Sequence, residues 1–143
     1  MQDSQGQPRA VIVHAGDEVA AVLALAGARP VALLSAPGVA GYLGVAGFRA
    51  ILEAHGALPL GILDAADAPG HALAALRGGF VAVVLAPETP AYAAVAAIAA
   101  AAGARLLPAP PPALDLKRVD LTKTQGKRYL ARWLGLPDAA DLP

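Results

Sequence analysis

Several side chains that can exchange a proton or hold a ligand follow short apolar segments of this 143-residue chain. His14, Asp64 and Asp67 are the candidates for acid–base catalysis, because a histidine or carboxylate with a shifted pKa can transfer protons near neutral pH. The candidates for ligand binding are Gly16, Asp17, Ser35, Gly38, His71 and Glu88. Glycine turns and short polar side chains at helix N-termini bind anions, so a phosphorylated small molecule is one ligand class that these residues could hold.

Most of these residues also fit a purely structural role. Asp17 and Asp67 are placed where helix N-caps belong. His14 ends an apolar segment and could be a hydrogen-bonded core histidine, and Ser35 lies in the turn sequence Ser-Ala-Pro-Gly. Asp64 follows its apolar segment directly and comes too early to cap the next helix. It is therefore the candidate that a capping role explains least well.

Five apolar runs indicate the elements that must position these residues. The runs are Ala10–His14, Pro30–Ser35, Leu58–Asp64, Phe80–Ala86 and Arg105–Pro108. Each is continuously apolar rather than alternating, which is typical of strands in a parallel sheet that is covered on both faces. The segments between them predict helices over Glu18–Ala26, Phe48–His55, a stretch ending at Arg77, and Ala91–Ala102. We therefore expect an α/β three-layer sandwich, Rossmann-like or flavodoxin-like, with a mostly parallel five-stranded sheet.

The carboxyl ends of parallel strands meet at one edge of a sheet, where ligands bind in such folds. Nearly all of the candidate residues follow a predicted strand, so we expect them to share that edge. A common cleft around His14, Asp64 and Asp67 would favour an enzyme. Side chains directed into separate caps and turns would favour a protein without catalysis of its own.

The composition excludes several classes of protein. The chain is 57% hydrophobic and 15% charged with a net charge of zero, which excludes extensive disorder. It has no cysteine, which excludes disulfides, thiolate nucleophiles and Cys-ligated zinc. No apolar run approaches the roughly 18 residues that a membrane span needs, and the polar N-terminus lacks the apolar stretch of a secretory signal. A cytoplasmic protein without a membrane partner is expected, and no metal site or cofactor is assigned.

Three regions are predicted along the chain. Residues 1–9 are a flexible N-terminus, residues 10–108 are the α/β domain, and residues 109–143 are a Pro-rich connector followed by a basic helix. That helix, over Thr122–Leu134, is expected to pack on the body or on a neighbouring subunit.

Glycine recurs every third residue at Gly38, Gly41, Gly44 and Gly47. This spacing leaves open whether residues 39–46 form a loose turn, a helix close to the sheet, or a mobile lid over a site.

Two segments carry the motifs of a resemblance to a known family. Val11-Ile12-Val13-His14-Ala15-Gly16, followed by an Ala/Leu helix, resembles the first strand and glycine turn of the Toprim domain of primases and topoisomerases. Leu63-Asp64-Ala65-Ala66-Asp67-Ala68-Pro69-Gly70 resembles the later acidic strand end of that family. The catalytic glutamate of the family would fall on Ala15 and its first metal-binding aspartate on Ala65. The resemblance therefore implies a degenerate module without metal-dependent phosphoryl chemistry.

Two further features bear on partners. The predicted helix over Ala91–Ala102 contains no charged residue but includes Tyr92, Val95 and Ile98, which predicts homo-oligomerisation. The C-terminal region carries six cations interleaved with Tyr129 and Trp133. Basic and aromatic residues together can bind nucleic acid, but this pattern favours a solvated helix face and no nucleic-acid partner is expected.

Three interpretations of function remain open. The first is a non-catalytic binding or assembly module. The second is an enzyme that acts on a small molecule at the carboxyl edge of the sheet. The third is a nucleic-acid-associated, degenerate Toprim-like module.

Overall fold

A computed structural model describes residues 8–38 and 43–136. The strands are β1 (Arg9–Ile12), β2 (Val31–Leu34), β3 (Gly61–Asp64), β4 (Ala82–Val84), β5 (Arg105–Leu107) and β6 (Ala113–Asp115). The α-helices are α1 (Gly16–Ala26), α2 (Val45–Glu53), α3 (Pro69–Arg77), α4 (Tyr92–Ala101) and α5 (Thr124–Trp133). Short 3₁₀ turns cover Leu58–Leu60 and Leu116–Arg118. The strands form one sheet in the order β5-β4-β3-β2-β1-β6, and every neighbouring pair is parallel.

The predicted α/β class, with its parallel sheet and C-terminal helix, is confirmed, but the sheet has six strands rather than five. The additional strand β6 is three residues long and pairs with β1 in a region predicted to be a connector. The third strand begins at Gly61 because the preceding Leu58–Leu60, with Pro59 in its first turn, forms a 3₁₀ helix instead of extending the strand.

The glycine-rich segment is only partly within the described residues. Residues 39–42 lie outside them. The helix begins at Val45, after Gly44, whose φ of +80° is in the region that favours glycine.

All five described α-helices pack against one face of the sheet. The buried core on this face combines strand residues such as Val11 and Leu33 with helix residues such as Val19, Phe48 and Val95. Strands β1 to β5 are consecutive neighbours in the sheet. Because parallel crossovers are right-handed, a sheet built by stepping in one direction places every connecting helix on the same face. The described helices therefore form one outer layer.

The opposite face of the sheet is lined by small and aliphatic strand residues. Its buried cluster consists of Ala10, Ala32, Leu34, Ile62, Ala82 and Val84, which all come from strands. Three of these six residues are alanines, whose small side chains leave room for another segment of the chain to pass close to the sheet.

The handedness of parallel crossovers places the connector between β5 and β6 on this face, because it runs across the sheet in the opposite direction to the earlier connections. These two strands lie at opposite edges of the sheet, and only residues 108–112 join them. Six Cα–Cα steps reach at most about 21 Å, whereas the five strand spacings of a flat sheet would span about 24 Å. The two edge strands must therefore lie closer together than in a flat sheet, and the connector is expected to cross the face that the described helices leave open. Its four prolines favour the extended conformation that this crossing needs.

The C-terminal helix α5 is anchored beside β1. Leu130 and Leu134 are 1% and 2% exposed and belong to the main core. The Trp133 Nε1–H donates to the carbonyl oxygen of Ala10 at 2.8 Å, and the Arg9 guanidinium lies 5.6 Å from the Trp133 ring centroid. The helix is thus held by apolar burial, a hydrogen bond to a strand and a cation–π contact. Among the described helices, none is both long and apolar enough to cross a membrane.

Candidate functional site

The parallel ladders place the ends of β1, β2, β3 and β6 on one edge of the sheet. His14, Ser35, Asp64 and Asp115 lie at or just beyond these ends. In strand order, β1 and β6 are neighbours, whereas β1 and β3 are separated by β2. Two strand spacings amount to about 10 Å, so the edge divides into two separate groups of polar side chains.

The first group is a pair formed by His14 and Asp115. Ile12 is the register partner of Asp115. His14 lies two residues beyond Ile12 and therefore on the same face of the sheet. Its Nε2 is 2.6 Å from Asp115 Oδ1, and the two side chains are 29% and 33% exposed. The backbone N–H of His14 donates to Glu18 Oε1 at 2.6 Å, which fixes the histidine to the first turn of α1.

The environment of Asp115 favours its ionised form. Partial burial by itself raises the pKa of this carboxyl. Hydrogen bonds from His14 and from the Lys117 N–H, together with electrostatic attraction to His14 and Arg118, outweigh the burial and hold its pKa below the usual range. A carboxylate that orients a histidine can support a general base. Within the described residues, neither a hydroxyl nor a second acid is hydrogen-bonded to the side chains of this pair.

The second group joins Ser35 to the backbone and side chain of Asp64. Ser35 is fully buried and Asp64 is 3% exposed. Ser35 Oγ accepts a hydrogen bond from the Asp64 N–H at 2.8 Å, and Asp64 Oδ1 accepts one from the Ala66 N–H at 2.9 Å. Both side chains therefore stabilise the end of β3 and its turn, in which Ala66 adopts a positive φ of 55°. Burial raises the pKa of Asp64, and the hydrogen bond from Ala66 opposes that rise.

Among the described residues, no hydrogen bond links the remaining candidates to either group. Asp67, His71, Glu88 and Gly38 are exposed, and each lies in a turn or in the first turn of a helix. Gly16 begins α1, where an added Cβ would lie 3.2 Å from the His55 ring. In the part of the chain that is described, no hydrogen bond or ion pair joins His14 to Asp64 or Asp67, and β2 separates the strands after which His14 and Asp64 lie.

The two predicted aspartate caps are wrong. Helix α1 begins at Gly16 with Ala15 as its N-cap, and Asp17 lies in its first turn, where its Oδ1 accepts from the neighbouring Glu18 N–H at 3.0 Å. Helix α3 begins at Pro69, with Ala68 as its N-cap and no side-chain cap. For Asp67 to be the N-cap, the helix would have to begin one residue earlier, at Ala68.

Sequence reasoning missed a cleft between the first turn of α1 and the turn before α5. It has a volume of about 300 Å³ and is lined by Asp17, Glu18, Ala21, Val119, Asp120, Leu121 and Thr122. Asp120 Oδ1 accepts hydrogen bonds from both the backbone N–H and the hydroxyl of Thr122, which hold the pKa of this exposed carboxyl below its usual range. In the part of the chain that the structure describes, no three His, Asp or Glu side chains converge as metal ligands would. Its lining combines residues of α1 with residues that follow β6, which are far apart in the sequence, so no local motif indicates the cleft.

Comparison with known protein families finds no family that matches this chain. A search of curated proteins also finds no match.

Proposed function

We propose that this chain is a non-catalytic assembly module that forms a two-fold symmetric homodimer through α4 and the neighbouring edge strand β5. The observation that carries the proposal is the uncharged outer face of α4. This helix buries Val95 and Ala99 against the sheet, but Ile98 is 47% exposed. The other exposed residues of the helix are alanines, at positions 93, 94, 97, 100 and 101.

An uncharged face suits contact with a second copy of the same surface. In a two-fold interface each residue meets the same patch on the partner, so a charged patch would face like charges across the axis. Helix α4 contains no charged residue, and its alanines permit close approach of two helix backbones. Burial of Ile98 against its symmetry mate removes apolar surface from water without desolvating a charge.

The strand beside α4 has free hydrogen-bonding groups at the same edge of the molecule. β5 ends the sheet, and α4 packs against it. The Arg105 N–H donates to Val81 and the Leu107 carbonyl accepts from Leu85, both toward β4. Because successive residues of a strand point their backbone groups to opposite sides, the N–H and C=O of Leu106 face outward. An antiparallel Leu106 pair across the two-fold axis would satisfy both groups, and Pro108 limits the pairing to this short stretch.

The carboxyl edge supports the non-catalytic part of the proposal. Ser35 and Asp64 use their hydrogen-bonding groups on the turn after β3, while His14 and Asp115 join β1 to β6. An acid–base mechanism needs its groups around one reacting atom. The described side chains instead form two pairs, each with a role in holding strand ends together.

The test is the molar mass in solution of the wild type and of two variants. Light scattering during size-exclusion chromatography at micromolar concentration should give a wild-type mass near twice the 14.2 kDa of one chain. Ile98→Glu should give the monomer mass, since dimerisation would bury an unpaired carboxylate. The matched control is Leu43→Glu, because Leu43 is also a large exposed apolar residue, 39% exposed, but lies outside α4 and β5.

Circular dichroism on both variants separates loss of assembly from loss of folding. The proposal predicts a folded monomer for Ile98→Glu and a folded dimer for Leu43→Glu. A monomeric wild type, or a dimer that survives Ile98→Glu, contradicts the proposed interface.

A further inference from the structure

The outward face of α5 combines cations with an aromatic ring. Gln125, Arg128, Tyr129 and Arg132 are all exposed, and Tyr129 is 50% exposed. At 100° per residue these four side chains fall within an arc of about 100°. We call this set the α5 stripe. Lys127 is also exposed, but on the helix circumference it lies about 150° from the centre of the stripe and is not part of it.

The positive charge of the stripe is not neutralised within its own helix. Residues 124–133 include Lys127, Arg128 and Arg132 but no Asp or Glu. The ion pairs found among the described residues are His14–Asp115 and Arg49–Glu53, so none involves α5. By contrast, two cations that precede the helix have acidic neighbours. The charge of Arg118 lowers the pKa of Asp115, and the charge of Lys123 lowers the pKa of Asp120.

The packing of α5 decides which anionic partner the stripe fits. Its apolar residues Leu130 and Leu134 are buried in the body, and Trp133 is held by Ala10 and Arg9. No apolar face remains to enter a lipid bilayer, which excludes the usual mode of an amphipathic helix at a membrane. A flat tyrosine ring between arginines instead matches the surfaces on which single-stranded nucleic acids stack their bases and place their phosphates.

We infer that the α5 stripe binds single-stranded nucleic acid without sequence preference, with Tyr129 stacking on a base and Arg128 and Arg132 contacting phosphates. This surface is separate from the α4–β5 edge, so the inference does not depend on dimerisation. Phosphate contacts by side chains make binding weaken with salt, whereas base stacking makes it depend on the tyrosine ring. The two dependences together distinguish the site from a merely basic surface.

The test is fluorescence polarisation of a 5′-fluorescein-labelled 12-mer of deoxythymidine, titrated with the full chain at low salt. For two contacts, from Arg128 and Arg132, the slope of log K against log salt should be about −1.4, which lowers affinity by about sevenfold between 50 and 200 mM. Arg128→Ala with Arg132→Ala should reduce this slope by about 1.4. The control is Arg77→Ala, which removes an exposed arginine that lies outside both α5 and β5 and should leave binding and its salt slope unchanged.

Substitution of the aromatic ring tests stacking directly. Tyr129→Ala should weaken binding about fivefold or more, and Tyr129→Phe should retain most of the affinity because the ring remains. No binding at 50 mM salt overturns the inference. It is also overturned if Tyr129→Ala binds as tightly as the wild type, or if vesicles rich in anionic phospholipid bind the chain while the oligonucleotide does not.

Discussion

The attachment of α5 to the body depends on Gly126, and we predict that Gly126→Ala weakens it. A Cβ at this position would overlap the carbonyl oxygen of Asp120 and lie 2.7 Å from its carbonyl carbon. Asp120 begins a turn in which its Oδ1 accepts from the Thr122 N–H at 3.0 Å. Backbone atoms in a hydrogen-bonded turn cannot rotate aside as the end of a side chain can. The added methyl group must therefore move the helix or open the turn.

The expected loss in the free energy of unfolding is the balance of one stabilising effect and two destabilising ones. Helix propensity alone favours alanine over glycine by about 1 kcal/mol. Overpacking of a tight contact costs about 1–3 kcal/mol. Displacement of α5 also exposes part of Leu130 and Leu134, and full burial of each is worth about 1.5–3 kcal/mol. Because only part of this burial is lost, we expect the free energy of unfolding to fall by about 1–3 kcal/mol.

Urea unfolding followed by circular dichroism and by tryptophan fluorescence measures both the stability and the position of the helix. Trp133 is the one tryptophan of the chain and lies on α5. Gly126→Ala should lower the unfolding midpoint, shift the native emission to the red and increase quenching by acrylamide. The matched control is Gly70→Ala in α3, where an added Cβ meets no atom within 4 Å. That variant should gain up to about 1 kcal/mol. Unchanged emission in Gly126→Ala, or equal midpoint shifts in both variants, would refute the reasoning.

Two further predictions concern the buried pair at the end of β3. Ser35→Ala should lower the free energy of unfolding by about 1–3 kcal/mol in urea titration, because the buried Asp64 N–H loses its acceptor. A role for Ser35 in ligand binding alone would leave stability unchanged. Asp64→Asn should raise Tm at pH 7 and have little effect below pH 3.8, the ordinary pKa of this carboxyl. Burial raises the pKa of Asp64 in the folded state, so the stability it contributes is full below 3.8 and is lost as the pH rises through the folded value. The asparagine oxygen can still accept from the Ala66 N–H, and a lower Tm at pH 7 would contradict this account.

The structure also shows how far the candidate site could be predicted. The carboxyl-edge location of His14, Ser35 and Asp64 follows from strand polarity, which the apolar runs indicate. Their partners do not follow from it. His14 meets Asp115, 101 residues further along the chain. This contact exists because β6 pairs with β1 on the side opposite β2, and no local pattern near Asp115 indicates that pairing.

The predictions that Asp17 and Asp67 cap helices were wrong for a local reason. A helix can begin without a side-chain cap when proline or other residues fix its first turn, so a capping residue nearby need not be used. Here Pro69 begins α3 directly after Ala68, and Glu18 binds the backbone before α1 in place of Asp17.

By itself, the sequence determined the alternation of strands and helices, because continuous apolar runs and glycine or proline breaks act over a few residues. It also determined that the strands are parallel, since each is followed by a helix that carries the chain back. Only the tertiary structure decided the order of the strands and the face that the prolines cross. These depend on contacts between segments far apart in the chain, such as that of β6 with β1, whose short length gives little local signal. The same long-range packing turned Trp133 inward and left Tyr129 facing outward on α5.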